Sequence, residues 1–465
     1  MQYDKIIVMV SDKTMKEKNY HIDMTSGNLL KNVFLFSVPL MLTTCLQMVF
    51  NAADTIVVGK FSGEVALASV GATSSVIFLL ISVFNGLSVG TNVVVSKYIG
   101  AHDDKKTSLA THTSIWISVV AGVLLTAIGI AFSKPLLRIM STPEKLLPLS
   151  SLYMKIYFSG IIFTLIYDFG TAILRSSGDT KRPLYFLAIA GGLNVILNLL
   201  FVIVFRMSVA GVALATVISQ GVSAVLTLIT LKNETNATKL LFSRLELNVS
   251  VAKEIMSIGI PAGIQGLVFS FSNVVVQSGI NSFNEANIIA GNSAALNLEN
   301  FVYIGMDSFN KATATFTAAN VGSKNYRQIK HILWLTMLLN VGSGLLISSV
   351  IYFNGSTFLG FYTNAAEVVR YGMYRLAFVT LFLPVQGIAD SFIASSRGMG
   401  YSNVPTIVML AGICGVRLIW LWSVFAMSHT LSMLYVCFPI SWAVTGVAEG
   451  IIWVISYRKF MKKAL

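Results

Sequence analysis

Arg175-Ser-Ser-Gly-Asp-Thr-Lys-Arg-Pro183 sits between two long apolar stretches, and Arg397-Gly-Met-Gly-Tyr-Ser-Asn-Val-Pro405 repeats its Arg, its central Gly and its Pro without a gap. The displacement is 222 residues, and it holds elsewhere: Pro39 pairs with Pro261, Asn51 with Asn273, Gly100 with Gly322 and Asp168 with Asp390. The chain is one half written twice. A long repeat in so apolar a chain points to a membrane transporter.

Composition names the solvent. With 55% hydrophobic and only 11% charged residues in 465, a water-soluble fold could not hide the apolar surface. Twelve apolar stretches of roughly 20 or more residues can each cross a hydrocarbon core as a helix. They are 33–58, 65–95, 107–131, 150–174, 184–205, 209–231, 252–280, 286–319, 329–352, 367–395, 404–426 and 431–457. The ~10-residue alternating segments of a β-barrel are absent. The predicted fold is an all-α polytopic membrane protein, with twelve transmembrane helices in two six-helix lobes related by a parallel repeat. Six is even, so both lobes enter from the same face and their axis runs along the membrane normal. The expected organisation is an N-terminal tail at 1–32, an N-lobe at 33–231, a linker at 232–251, a C-lobe at 252–457 and a C-tail at 458–465.

The net charge of +13 is unevenly spread. Most Lys and Arg fall in the N-tail, the even-numbered loops and the C-tail, which places both termini in the cytoplasm by the positive-inside rule. Membrane topology accounts for the charge without a nucleic-acid partner. Residues 1–32 carry no secretory signal and read as a partly disordered tail. Cys45, Cys414 and Cys437 lie inside apolar spans without metal-ligand spacing, as buried thiols do. His21, His102, His112, His331 and His429 fall in the tail or near helix ends and read as solvated surface groups. Nothing resembles a nucleophile elbow, a His-rich metal constellation or a phosphate-binding glycine loop, so neither an enzyme nor direct ATP drive is expected.

Charged groups inside the hydrocarbon cost at least ~2.5–3.5 kcal/mol and mark function. Asp54 lies near the outer end of the first helix. Asn194 and Asn198 are one turn apart on the fifth, and Thr216 reaches a similar depth on the sixth. A carboxylate, two amides and a hydroxyl at one level suit a proton or a small hard cation. Asp168 and Asp390 each precede an arginine by seven residues and can anchor structure or line a cavity. Asp307 and Lys311, four apart, read as an internal ion pair. Glu299, with no charged neighbour at helical spacing, is a candidate for a second proton or cation group. Glu449, toward the inner end of helix twelve, can snorkel. Pro39 and Pro261 can kink or hinge the first helix of each lobe.

Val38-Pro39, Gln47, Asn51-Ala-Ala-Asp54-Thr55 and Val58-Gly59 resemble the first helix of multidrug and toxic compound extrusion (MATE) transporters. Arg175 to Pro183, Asn194-x3-Asn198, Gly211-Val-Ala-Leu-Ala-Thr216 and Ala319-Asn-Val-Gly322 resemble further parts of the same family, over residues 30 to 460 and closest to its DinF-like prokaryotic branch. The resemblance implies efflux of amphipathic, often cationic organic compounds, in exchange for H+ or Na+, by alternating access. It implies Asp54, Asn194, Asn198 and Thr216 as the cation-coupling set, with Gln47, Asn51, Asp168 and Glu299 around the substrate cavity. No cofactor beyond the coupling ion is implied. The expected setting is a monomer in a bacterial inner membrane, meeting small organic molecules and the lipid bilayer. A dedicated metabolite exporter or a lipid-linked oligosaccharide flippase would share the two-lobe fold.

Overall fold

The computed structural model describes residues 20–140 and 142–464, and no strand is present among them. The expected tail at 1–32 lies largely outside these residues. In chain order the helices are α1 (Leu29–Ser62), α2 (Glu64–Gly100), α3 (Asp104–Ile139), α4 (Leu147–Ser159 and Ile161–Ser176), α5 (Lys181–Leu199) and α6 (Ser208–Asn233). The second series is α7 (Val249–Asn281), α8 (Ala286–Gly322), α9 (Gln328–Phe353), α10 (Ala366–Phe378 and Leu383–Gly398), α11 (from Asn403 to Ser428) and α12 (Leu431–Ala464). Among the described residues ten helices are long and apolar enough to cross a membrane, and α4 makes eleven when its two segments count as one. The remaining helix, α8, spans 37 residues but carries Glu299, Asp307 and Lys311. Of these, Glu299 is buried against protein, while Asp307 and Lys311 neutralise one another as a pair, which lowers the cost of charge in the hydrocarbon.

Local departures from straight helix have identifiable causes. A 47° bend breaks α4 at Gly160, where a Cβ would lie 2.4 Å from the Val217 side chain of α6. The α5 helix widens into a π turn at Leu200–Val204, and α11 contains two, Leu410–Gly415 and Leu421–Phe425. Such bulges concentrate at functional sites. Pro39 and Pro261 lie inside helices that continue through them. The last helix runs on to Ala464, so the stretch expected as a C-tail is helical.

The duplicated loop adopts the same turn twice. Gly178 and Gly400 both take positive φ, +85° and +88°, and each amide bonds back to the carbonyl of the repeated arginine, Arg175 or Arg397. Only a residue without Cβ adopts this geometry at little cost.

Each series packs mainly within itself, and the two meet along α2 against α7 and α8. Lipid supplies no hydrophobic drive between helices, so close approach relies on small residues. Gly86 and Gly90 of α2 face Gly259 and Gly263 of α7: a Cβ on Gly86 would sit 2.2 Å from the Gly263 nitrogen. Nearer the chain termini, a Cβ on Gly322 would sit 1.9 Å from the Lys97 carbonyl oxygen, and one on Gly100 2.0 Å from that of Ala319. Beyond this seam the same helices expose Phe78, Leu79, Phe271 and Val274. The halves are zipped at the end that holds the termini, and diverge at the other, where α2 packs through Val76 and Ile81 into a core of the first half and α7 through Val276 and Ile280 into a core of the second.

A short strap closes that zipped end. Asp23 caps the turn at Thr25 and Ser26, and Asn28 caps α1 by accepting from the Lys31 amide at 3.1 Å. His21 contacts the first half through the Ser177 carbonyl (3.2 Å) and Glu234 (3.4 Å), while Asn320 of α8 donates to the Met24 carbonyl at 2.8 Å. Residues 20–28, the part of the expected tail that is described, thus make fixed contacts with both halves. His112 departs from expectation: it is buried, its Nδ1 2.7 Å from the Ser108 carbonyl, its Nε2 accepting from the Leu241 amide. It pins the inter-half linker to α3.

Candidate functional site

The pocket in the first half begins with a close approach. A Cβ on Gly191 of α5 would lie 1.8 Å from the Phe50 ring of α1, so only glycine lets the two helices meet there. Eight residues before the end of α1, about 12 Å along its axis, Asp54 faces Asn198. Asn198 donates from Nδ2 to Asp54 Oδ1 and to Asn194 Oδ1, the latter at 3.0 Å. Asn194 passes the chain to the Thr216 hydroxyl at 3.5 Å, and Thr216 donates to the Val212 carbonyl at 3.0 Å. The four residues expected from the sequence form one hydrogen-bonded line across α1, α5 and α6.

Both asparagines are buried, and Asn198 Oδ1 has no hydrogen-bond partner. A buried acceptor left unpaired costs roughly 1–3 kcal/mol. Next to a carboxylate it has an evident complement, since a proton on Asp54 or a hard cation between the oxygens would satisfy it. Tyr153 of α4, also buried, lies within electrostatic reach of Asp54. It was not legible in the sequence, because a tyrosine among apolar residues carries no signal of what it faces.

Gln47 and Asn51 stand apart. Both are exposed, and neither side chain joins the line. Asp168 is half-buried at the junction of the halves, in electrostatic reach of Arg175 on its own helix and Lys311 on α8. Asp307 and Lys311 form the expected ion pair at 2.6 Å, and both remain partly exposed. Asp390 accepts from Gln386 at 3.4 Å, while Arg397 reaches across to Gln265 of α7. Neither repeated arginine lies within ion-pair distance of the aspartate seven residues before it. Arg175 instead donates to Thr171 at 3.0 Å.

Two acids sit differently from their sequence reading. Glu299 is no free carboxylate: Arg375 of α10 holds it through Nε at 2.7 Å and Nη2 at 2.8 Å, and Thr380 adds a bond at 3.2 Å. Glu449 is fully buried and does not snorkel, because its face of α12 packs on α10 near Asp390 and Arg397. Arg375 escaped notice for want of a helical-spacing partner.

The family model MatE matches residues 39–200 and 261–422, two segments displaced by the same 222 residues as the internal repeat. The chain belongs to the MatE family. Among relatives of this MatE chain, the probable multidrug resistance protein YpnP of Bacillus subtilis (strain 168) is 29% identical over 79% of the chain and 82% of its own length. The probable multidrug resistance protein YoeA of the same organism is 27% identical over 89% of the chain and 91% of its own length. A MOP superfamily transporter from Pyrococcus furiosus Vc1 has the same fold, with a TM-score of 0.89 over 96% of this chain and 99% of that one, at 20% identity. The protein is a multi-pass membrane transporter of this family.

Proposed function

We propose that the protein is a secondary multidrug exporter that moves amphipathic or cationic organic compounds outward in exchange for H+ or Na+, with Asp54 as the coupling carboxylate. The observation that carries this reading is the hydrogen-bonded line Asp54–Asn198–Asn194–Thr216, buried at its two asparagines, with an orphaned amide oxygen beside the carboxylate. The relatives named as multidrug resistance proteins support the substrate class.

In this reading the zipped glycine seam lies toward the cytoplasm and the divergent end toward the outside, an outward-open arrangement. In the proposed cycle, residues 33–231 and 252–457 rock as two lobes about the seam, in a bacterial inner membrane with both termini cytoplasmic and the protein acting as a monomer. An ion arriving from outside fills the place beside Asp54. Its differential affinity for the two states drives the exchange, since equal affinity would shift nothing. In this reading the substrate meets the half-buried Asp168 and the partly exposed Asp307–Lys311 pair, whose opposite charges offer it polar anchors.

The test is ethidium efflux from reconstituted vesicles with proton and sodium gradients imposed separately, for the wild type and Asp54→Asn. Gradient-driven efflux abolished by the substitution is the expected result, and the gradient that works names the ion. Efflux with unchanged gradient dependence in Asp54→Asn would overturn the coupling scheme.

A further inference from the structure

The second half contains a buried charge without a counter-charge. Arg417, 1% exposed, lies in α11 between the two π turns. Its Nε donates to the Ser441 hydroxyl at 3.1 Å, and its Nη1 donates to the Ser272 hydroxyl at 3.2 Å and to Asn273 Oδ1 at 3.3 Å. Its Cζ rests 4.3 Å above the Phe438 ring and 5.9 Å from that of Trp442. Nη2 has no partner, and no carboxylate among the described residues lies within ion-pair distance. Glu299, whose charge reaches Arg417 only at longer range, is held by Arg375 through two hydrogen bonds. Arg417 is thus left inside a membrane-spanning bundle without an ion-pair partner. Neutral hydrogen bonds and aromatic faces offset part of that charge, but a desolvated cation is compensated fully only by an anion.

The internal repeat sharpens the point. Shifted by 222 residues, Thr216 falls on Phe438 and Asn51 on Asn273, and the π turn of α5 falls within one residue of the second π turn of α11. The first half places a carboxylate in this region, the second a guanidinium. Asn273 is exposed on its helix while its amide oxygen touches Arg417, so it is the polar step between the guanidinium and the divergent end of the bundle.

We infer that Arg417 is a receptor for the carboxylate of an amphipathic organic acid or zwitterion. The carboxylate displaces the Asn273 oxygen from Nη1 and takes the unpartnered Nη2, giving the bidentate fork that guanidinium favours. The surplus is one positive charge, which a monoanion neutralises and a phosphate dianion would overshoot. Phe438 and Trp442 supply walls for the apolar body. This rests on the transporter reading above and extends its substrates to acids.

The test is binding of dansylglycine, with its methyl ester as the neutral control, to protein in phosphatidylcholine nanodiscs. The wild type should bind the acid at least tenfold more tightly than the ester. Asn273→Asp places an internal carboxylate on Arg417 and should erase that preference while the unliganded melting temperature is held or raised; Arg417→Gln should erase it too. Equal binding of acid and ester by the wild type, or a preference that survives Asn273→Asp, overturns the inference, as does displacement of the acid by added phosphatidylglycerol without acid-over-ester preference. Because the readout is binding, it stands even if ethidium efflux fails, which would sink only the drug-export reading.

Discussion

Arg375 grips Glu299 with two nitrogens of its guanidinium while its Nη1 holds Asn292 Oδ1 at 2.6 Å. Tyr435 donates to the same amide oxygen at 3.2 Å, and the guanidinium sits over the Tyr435 and Phe438 rings. Breaking one side of a buried pair leaves the other charge stranded and costs about 3–5 kcal/mol. Glu299→Gln should therefore lower the melting temperature of the purified protein markedly. The double substitution Glu299→Leu with Arg375→Met should lose less than the two singles together. An unchanged melting temperature in Glu299→Gln would mean that the pair contributes nothing.

Asn198 supplies the donor on which Asp54 depends. A hydrogen bond to a charged group contributes roughly 1.5–3 kcal/mol, about a tenfold or greater change in affinity. Asn198→Ala should raise the concentration of coupling ion needed for half-maximal efflux by at least that factor. Gln47→Ala, outside the line, should leave it within about twofold. Equal shifts for both would dissolve the distinction between the two positions.

The seam at Gly322 has no slack, because the atom its Cβ would strike is a backbone carbonyl. Gly322→Val should force the halves apart at the end holding the termini. Spin labels on Lys105 and Lys330, both exposed there, should then report a separation larger by about a helix diameter, ~10 Å. If the wild-type distance distribution persists, the zipper tolerates what its geometry forbids.

His21 makes the strap sensitive to pH. Its hydrogen bond to Glu234 raises the imidazole above its usual value of 6.5, and the folded form therefore favours the charged ring. Stability from a raised group is fully present below the unfolded value and is lost as pH climbs through the folded one. The amide protection factors of residues 20–28, the base-catalysed intrinsic rate divided by the observed one, should fall on going from below about pH 6.5 to well above it. His21→Gln should flatten that dependence, and a wild type whose protection factors do not change with pH would remove His21 from the role.

Apolar runs and the turn at each of Gly178 and Gly400 were legible because they depend on residues close in sequence, and the 222-residue repeat because it needs only a comparison of the sequence with itself. So were Asp54, Asn194, Asn198 and Thr216, whose depths follow from counting 1.5 Å rises along three helices. Depth is not rotation, however. Gln47 and Asn51 share a helix with Asp54 yet point away from its network, and Glu449 faces α10 rather than the membrane surface. Gly86-x3-Gly90 and Gly259-x3-Gly263 stand plainly in the sequence as small-residue spacings, but only the packed helices pair one with the other. Arg375 with Glu299, and Arg417 with no carboxylate, belong to the same class of fact. The sequence by itself determined which segments cross the membrane and which polar groups lie at what depth, because burial in lipid acts on each helix separately. Which charge meets which was decided by tertiary structure alone, because it depends on how each helix is turned and on neighbours far away along the chain.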